Sequence, residues 1–143
     1  MLHIHLLSTD SITYLSSCLF VFLAGSWKES RKWYRLASRQ GWAEACVLLG
    51  HMYANGEGVP SNAKVACKHY RVAAEKGDVV GMYELGKTLC EGGGKRMAPN
   101  PKAGVPWLRK ASRLDSKAAD RFLESMVLLD SPQKGKRSGH SMH

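Results

Sequence analysis

An all-α solenoid of antiparallel helix pairs is the fold this sequence predicts, and three observations predict it. The stretches WYRLASRQG from Trp33, HYRVAAEKG from His69 and WLRKASRLD from Trp107 are near copies, offset by 36 and then 38 residues. AEACVLLGHMYANGEGV from Ala43 and VGMYELGKTLCEGGG from Val80 form a second matching pair, whose Leu49-Gly50 and Leu85-Gly86 steps are again 36 apart. Within the copies apolar residues recur at three and four positions, as in Ala45, Leu49 and Met52 or Ala66, Tyr70 and Ala73, which is a helical period. A repeat of this length is one supersecondary unit that buries its apolar face only against a neighbour.

The elements follow in chain order. Residues 1–26 lie outside the repeat. Their stretch ITYLSSCLFVFLAGS holds about 13 apolar or small residues, short of the roughly 17–25 that span a bilayer as a helix. Ala24 and Ser26 supply small residues near a cleavage point, as in a secretory signal, yet no Lys or Arg precedes the stretch and Asp10 interrupts it. A signal or anchor over residues 12–26 and a capping helix over the first half-unit both remain open, with an intracellular location the favoured one. Residues 27–129 carry the repeats. A second helix, Lys28 to Gln40, turns at Gly41; a first helix follows over Leu49-Gly50, with a loop at Gly56 and Gly58. The next second helix turns at Gly77, where a left-handed residue is commonly needed. A first helix then runs over Leu85-Gly86 into Gly92 to Gly94. Gly50 and Gly86 stand inside helical patterns, where glycine is unfavourable by about 1 kcal/mol relative to alanine, so close helix approach is their expected role. Lys95-Arg96-Met97-Ala98 lengthens the third loop, and Pro101 and Pro106 place the start of the following helix near Val105. The last first helix runs near Lys117 to Leu129, where Glu124 replaces the glycine and suits a terminal cap. Residues 130–143 have the polar, basic composition of a disordered tail. Two complete units flanked by half-units are close to the minimum for an independent solenoid. Modest stability follows, and with it either a shortened form of a longer repeat protein or a subunit that leans on a partner.

The pattern LGxMYxxGxGV followed by KxxxHYxxAAEKG resembles the SEL-one-like repeat family, a relative of the tetratricopeptide repeat. Leu49, Gly50, Tyr53, Gly56, Gly58, Val59, Ala66, Tyr70, Ala73, Ala74 and Gly77 carry the resemblance, which covers roughly residues 28 to 128. It departs in the third unit, where Leu89 stands at the place of Tyr53. The resemblance implies a right-handed stack used for protein–protein binding or scaffolding, with the first helices lining a concave face. Some secreted relatives bridge the end of a second helix to the start of the next first helix. Cys46 holds the latter position, but Ala37 and Ser38 occupy the former, so that bridge is absent here.

Charge is distributed unevenly. The net +9 is accounted for by the three second helices, which carry +4, +3 and +3 between Lys28 and Gly41, Lys64 and Gly77, and Lys102 and Asp115. Arg35, Arg71 and Arg109 share one repeat position and form a row able to hold phosphates or an acidic partner. The structural alternative is that such cations complement helix C-termini and cover apolar surface with their stems. Trp33, Tyr34, Tyr70 and Trp107 fall at expected core positions, not interleaved with the charge.

Little in the chain points to chemistry. GGGK fails as a phosphate loop, because Leu89 stands where the first glycine is needed and Arg96 follows the lysine. Cys18, Cys46, Cys67 and Cys90 show no CxxC spacing, so no zinc or redox motif is supported; the last three are expected as small buried apolar side chains. Of the six histidines, His3, His5, His140 and His143 lie near the ends and lack a third fixed ligand; His69 takes the place of a core Trp. A non-enzymatic chain without cofactor or metal is expected. The predicted function is a protein-interaction or scaffold module whose groove is formed by Glu44, Val47, Leu48 and His51 of one unit and Val80, Tyr83, Glu84 and Lys87 of the next. Leu48, His51, Tyr83 and Lys87 are the leading contacts for a peptide or partner helix. The alternative is a basic adaptor that binds RNA or an anionic membrane through the arginine row, and membership of a larger assembly is compatible with either.

Overall fold

The computed structural model describes residues 25–130. Over this span the chain forms six α-helices: α1 (Trp27–Arg39), α2 (Ala43–Asn55), α3 (Ala63–Glu75), α4 (Val79–Glu91), α5 (Pro101–Arg113) and α6 (Lys117–Asp130). A 3-10 turn at Gly94–Arg96 interrupts the loop before α5. The readings of residues 1–24 as anchor, signal or cap, those of Cys18 and the terminal histidines, and that of the tail beyond Asp130 lie outside the described residues.

Each helix packs on the next in sequence. Alternate helices also meet, α2 with α4 and α4 with α6, whereas α1, α3 and α5 show at most marginal mutual contact. The first helices therefore form the inner row and the second helices the outer one. The turns from outer to inner helix share one geometry. The Gly41 amide donates to the Ser38 carbonyl at 3.1 Å and the Trp42 amide to the Ala37 carbonyl at 3.2 Å. The same pair of bonds closes α3 through Gly77 and Asp78, and α5 through Asp115 and Ser116. This is the Schellman arrangement, which needs a left-handed residue at its centre; Gly41 and Gly77 adopt φ of +97° and +92°.

The inner-to-outer loops are also pinned alike. The Asn62 amide donates to the Tyr53 carbonyl at 2.8 Å, and the Asn100 amide to the Leu89 carbonyl at 2.7 Å. Both asparagines then cap the helix that follows: Asn62 Oδ1 accepts from the amides of Lys64 and Val65, and Asn100 Oδ1 from that of Ala103. The two extra residues of the longer loop are taken up in the 3-10 turn, closed by the Gly93 amide on the Met97 carbonyl at 2.8 Å.

The expectation that α5 begins near Val105 is corrected: it begins at Pro101. Asn100 caps the helix and Pro101 takes its first turn, where the missing N–H has no intrahelical partner to lose. Pro106 lies inside the helix and removes one backbone bond, while the buried stripe of Gly104, Leu108 and Ala111 holds α5 against α4.

Helical glycine sets how closely the rows approach. A Cβ on Gly50 would meet the Tyr70 ring. One on Gly86 would lie 2.7 Å from Leu108 Cγ and 2.9 Å from the Gly104 carbonyl oxygen. Tyr70, Met82, Leu85 and Leu108 lie in the main core cluster, and Tyr34, Leu49, Met52 and Val59 form a second one around α1 and α2. Cys46 and Cys67 are buried in the main cluster as expected, and Cys90 is half-buried against it. Burial pushes all three thiols above their ordinary pKa, which suppresses the reactive thiolate. Trp33 and Trp107 are only half-buried, so the core positions in that part of the repeat belong to Tyr34, Tyr70 and Leu108.

Candidate functional site

The inner row carries a cleft of about 530 Å³ between α2, α4 and the loops that lead into α3 and α5. His51 of α2 and Lys87 of α4, repeat equivalents, both line it, as do Glu84 and the buried Tyr70. The Tyr70 hydroxyl lies 3.3 Å from His51 Nδ1, and the two rings meet edge to face with centroids 5.5 Å apart. Burial, reinforced by the Glu84 carboxylate and Cys67, pushes the Tyr70 phenol well above its ordinary pKa. It therefore stays protonated and is available to donate to Nδ1 of His51.

Of the four leading sequence contacts, the structure brings His51 and Lys87 together and separates the other two. Leu48 is exposed at 41 % but does not line the cleft. Tyr83 is half-buried and packs against the main core cluster. Its repeat equivalent Val47, expected on the groove, is buried at 6 %. The reason is a register effect: Val47 and Tyr83 occupy the inner-helix position that turns toward the neighbouring outer helix. Glu44 and Val80 are exposed outside the cleft.

Sequence reasoning missed Asn55, Asn62, Glu91 and Arg96, which complete the cleft wall. Asn62 had a legible signal, since it and Asn100 each precede an outer helix. Arg96 had none, because the 3-10 turn that positions it is peculiar to the longer third loop. The resulting wall offers Glu84 and Glu91 beside Lys87 and Arg96, with amide and hydroxyl groups between them. Such a mixture suits the alternating donors and acceptors of a peptide and disfavours a polyanion.

On the outer row Arg35, Arg71 and Arg109 are all exposed. His69, the repeat equivalent of Trp33 and Trp107, stacks on Tyr53 with centroids 5.5 Å apart. Its imidazole pKa is lowered by burial and secondarily by Arg35. Among the described residues no three His, Cys, Asp or Glu side chains cluster as a metal site would require, and no helix is long and apolar enough to cross a membrane.

A stack of helix pairs with a lined inner cleft defines a helical-repeat interaction scaffold. Residues 28–42, 43–78 and 79–116 match the Sel1 repeat. These matches cover more than half of the chain, which belongs to the Sel1 repeat family. Sel1 repeat proteins mediate protein–protein interactions, and the repeat itself is a non-catalytic scaffold fold. Solved structures agree on the helical solenoid fold. A protective antigen of uropathogenic Escherichia coli strains that displays an SLR fold superposes with a TM-score of 0.68 at 23 % identity, covering 73 % of this chain and 22 % of that one. A Sel1 repeat protein from Oxalobacter formigenes gives 0.62 at 28 %, with coverages of 71 % and 40 %. The Helicobacter pylori cysteine-rich protein B gives 0.66 at 24 %, with coverages of 81 % and 93 %. The chain thus spans about a fifth and two fifths of the length of the first two. No match is found among curated proteins.

Proposed function

We propose that this protein is a binding module that receives a peptide segment of a partner protein in the inner cleft, with His51 and Lys87 as its central contacts. The carrying observation is the convergence of repeat-equivalent His51 and Lys87 on one open cavity large enough for several side chains. Tyr70 orients His51, Glu84 and Arg96 supply opposite charges across the cleft, and the helices that frame it are locked by Gly50 and Gly86. Leu48 extends the same face as a peripheral apolar contact, and Tyr83 supports it from beneath.

The test is affinity capture from the native cell at moderate and high salt with three forms of the tagged chain. A partner retained by the wild type in high salt, and lost with the double variant His51→Ala, Lys87→Glu, supports the reading. Both positions lie outside the buried core, so helicity is expected to be unchanged. Equal capture by the folded double variant would remove the cleft from consideration. The triple variant Arg35→Gln, Arg71→Gln, Arg109→Gln should capture the same partner, which separates the cleft from the outer face.

A further inference from the structure

The outer row carries more order than its arginines alone. Lys28, Lys64 and Lys102 sit at one repeat position, and Arg35, Arg71 and Arg109 follow each of them by seven residues. Two helical turns bring position i+7 back to the same face, about 10 Å further along the axis. All six side chains are exposed. They therefore form a grid of three helices by two registers on the outer row, with Arg109 also bordering the recess against α6. Lys32 and Lys68 fall between the registers, Arg39 and Arg113 extend them, and Glu29 and Glu75 are exposed acids beside them. Among the described residues the ion pair is Lys32 with Glu29 at 2.8 Å, so none of the six grid cations has a carboxylate partner.

We propose that this outer face docks on an anionic lipid membrane through Lys28, Lys64 and Lys102 together with Arg35, Arg71 and Arg109. The surface is independent of the inner cleft and does not rest on the reading given to it. Three observations select a membrane over a nucleic acid. The grid lacks a continuous row of aromatic platforms for stacking bases: Trp33, His69 and Trp107, two residues before each arginine, are half-buried, and Trp27, exposed at 39 %, is a single ring beside Lys28. Apolar side chains border the arginine register instead, with Leu36 and Val72 exposed at 38 % and 42 % directly after Arg35 and Arg71. In the sequence, the apolar stretch ITYLSSCLFVFLAGS leads directly into α1, the most basic of the outer helices. An apolar segment joined to a polybasic surface is the two-signal combination that gives stable peripheral attachment.

The full chain is mixed with vesicles of phosphatidylcholine, alone or containing phosphatidylserine, and sedimented across a salt series. The wild type should bind the phosphatidylserine vesicles in preference to neutral ones and lose affinity as salt rises. Arg35→Gln, Arg71→Gln, Arg109→Gln should weaken that binding on the order of a hundred-fold. The independent triple variant Lys28→Gln, Lys64→Gln, Lys102→Gln should weaken it comparably. A charge-matched control, Lys95→Gln, Lys117→Gln, Arg121→Gln, removes three exposed cations away from the grid and should bind almost as the wild type does. All variants change exposed side chains, and circular dichroism verifies their fold. An equal loss in the control, equal binding to neutral vesicles, or tighter binding of an RNA or duplex DNA oligonucleotide at the same salt would each overturn the proposal.

Discussion

Asp115 takes φ of +68° at the turn position where Gly41 and Gly77 stand. Each of the three closes the same pair of backbone bonds, so the geometry is imposed by the turn and Asp115 adopts it against its own preference. Asp115→Gly is therefore expected to stabilise the chain by about 1 kcal/mol, offset in part by the freedom glycine adds to the unfolded state. Urea midpoints of the two forms check this. His69 makes a prediction of opposite character. Burial and Arg35 lower its folded pKa, so the unfolded chain binds the proton more readily. Stability contributed by neutral His69 is complete above the unfolded value of 6.5 and is lost as pH falls from there toward the folded pKa. His69→Phe keeps an aromatic ring opposite Tyr53 and removes the titration. Its urea midpoint should change less than that of the wild type between buffers on either side of 6.5, and parallel changes would show that other groups carry the acid sensitivity.

At the scale of the helix, α5 shows where sequence pattern and structure part. Repeat spacing identified the outer helix from WLRKASRLD, but two prolines argued for a late start. The deciding feature was Asn100, whose side chain and backbone together cap the helix, and an asparagine before a proline reads as easily as a turn. The same limit applies to the cleft. His51 and Lys87, equated by the repeat, line one cleft, whereas Tyr83 is half-buried against the core cluster, and an aromatic side chain on an inner helix fits a groove or a core equally well in sequence. Pro106 remains the weak point of α5. Its ring removes the backbone bond to the Lys102 carbonyl and crowds that oxygen. Since it is exposed, Pro106→Ala should restore the bond without disturbing the face packed on α4. A gain of about 1–3 kcal/mol is expected, read from chemical denaturation. No gain would mean that α5 has already bent to accommodate the ring.

Over the whole molecule, stability should fall toward the C-terminal end of the stack. In a solenoid each unit is held by its neighbours, so a terminal helix with one full interface opens more readily than a central one. Helix α4 packs on both α3 and α5 and touches α2 and α6 as well, while α6 rests on α5 with a smaller contact to α4. The last turns of α6 carry the most exposed large apolar side chains among the described residues: Val127, Leu128 and Leu129 are exposed at 67, 76 and 86 %. They border an apolar recess of about 1050 Å³ that also involves Val105 and Arg109. The repeat shows what sets this helix apart. Gly50 and Gly86 each receive the outer helix that follows, at Tyr70 and Leu108, whereas their counterpart in α6 is Glu124 and no further helix follows α6 among the described residues. Hydrogen exchange followed by mass spectrometry should therefore find α6 amides exchanging well ahead of those in α4, through local opening that does not require the central pairs to unfold. A sub-denaturing concentration of urea should bring the α4 rate up through global opening while the α6 rate changes little. Identical protection of α4 and α6 would mean that the short stack opens only as a single cooperative unit, with nearest-neighbour coupling strong enough to erase the difference in their packing.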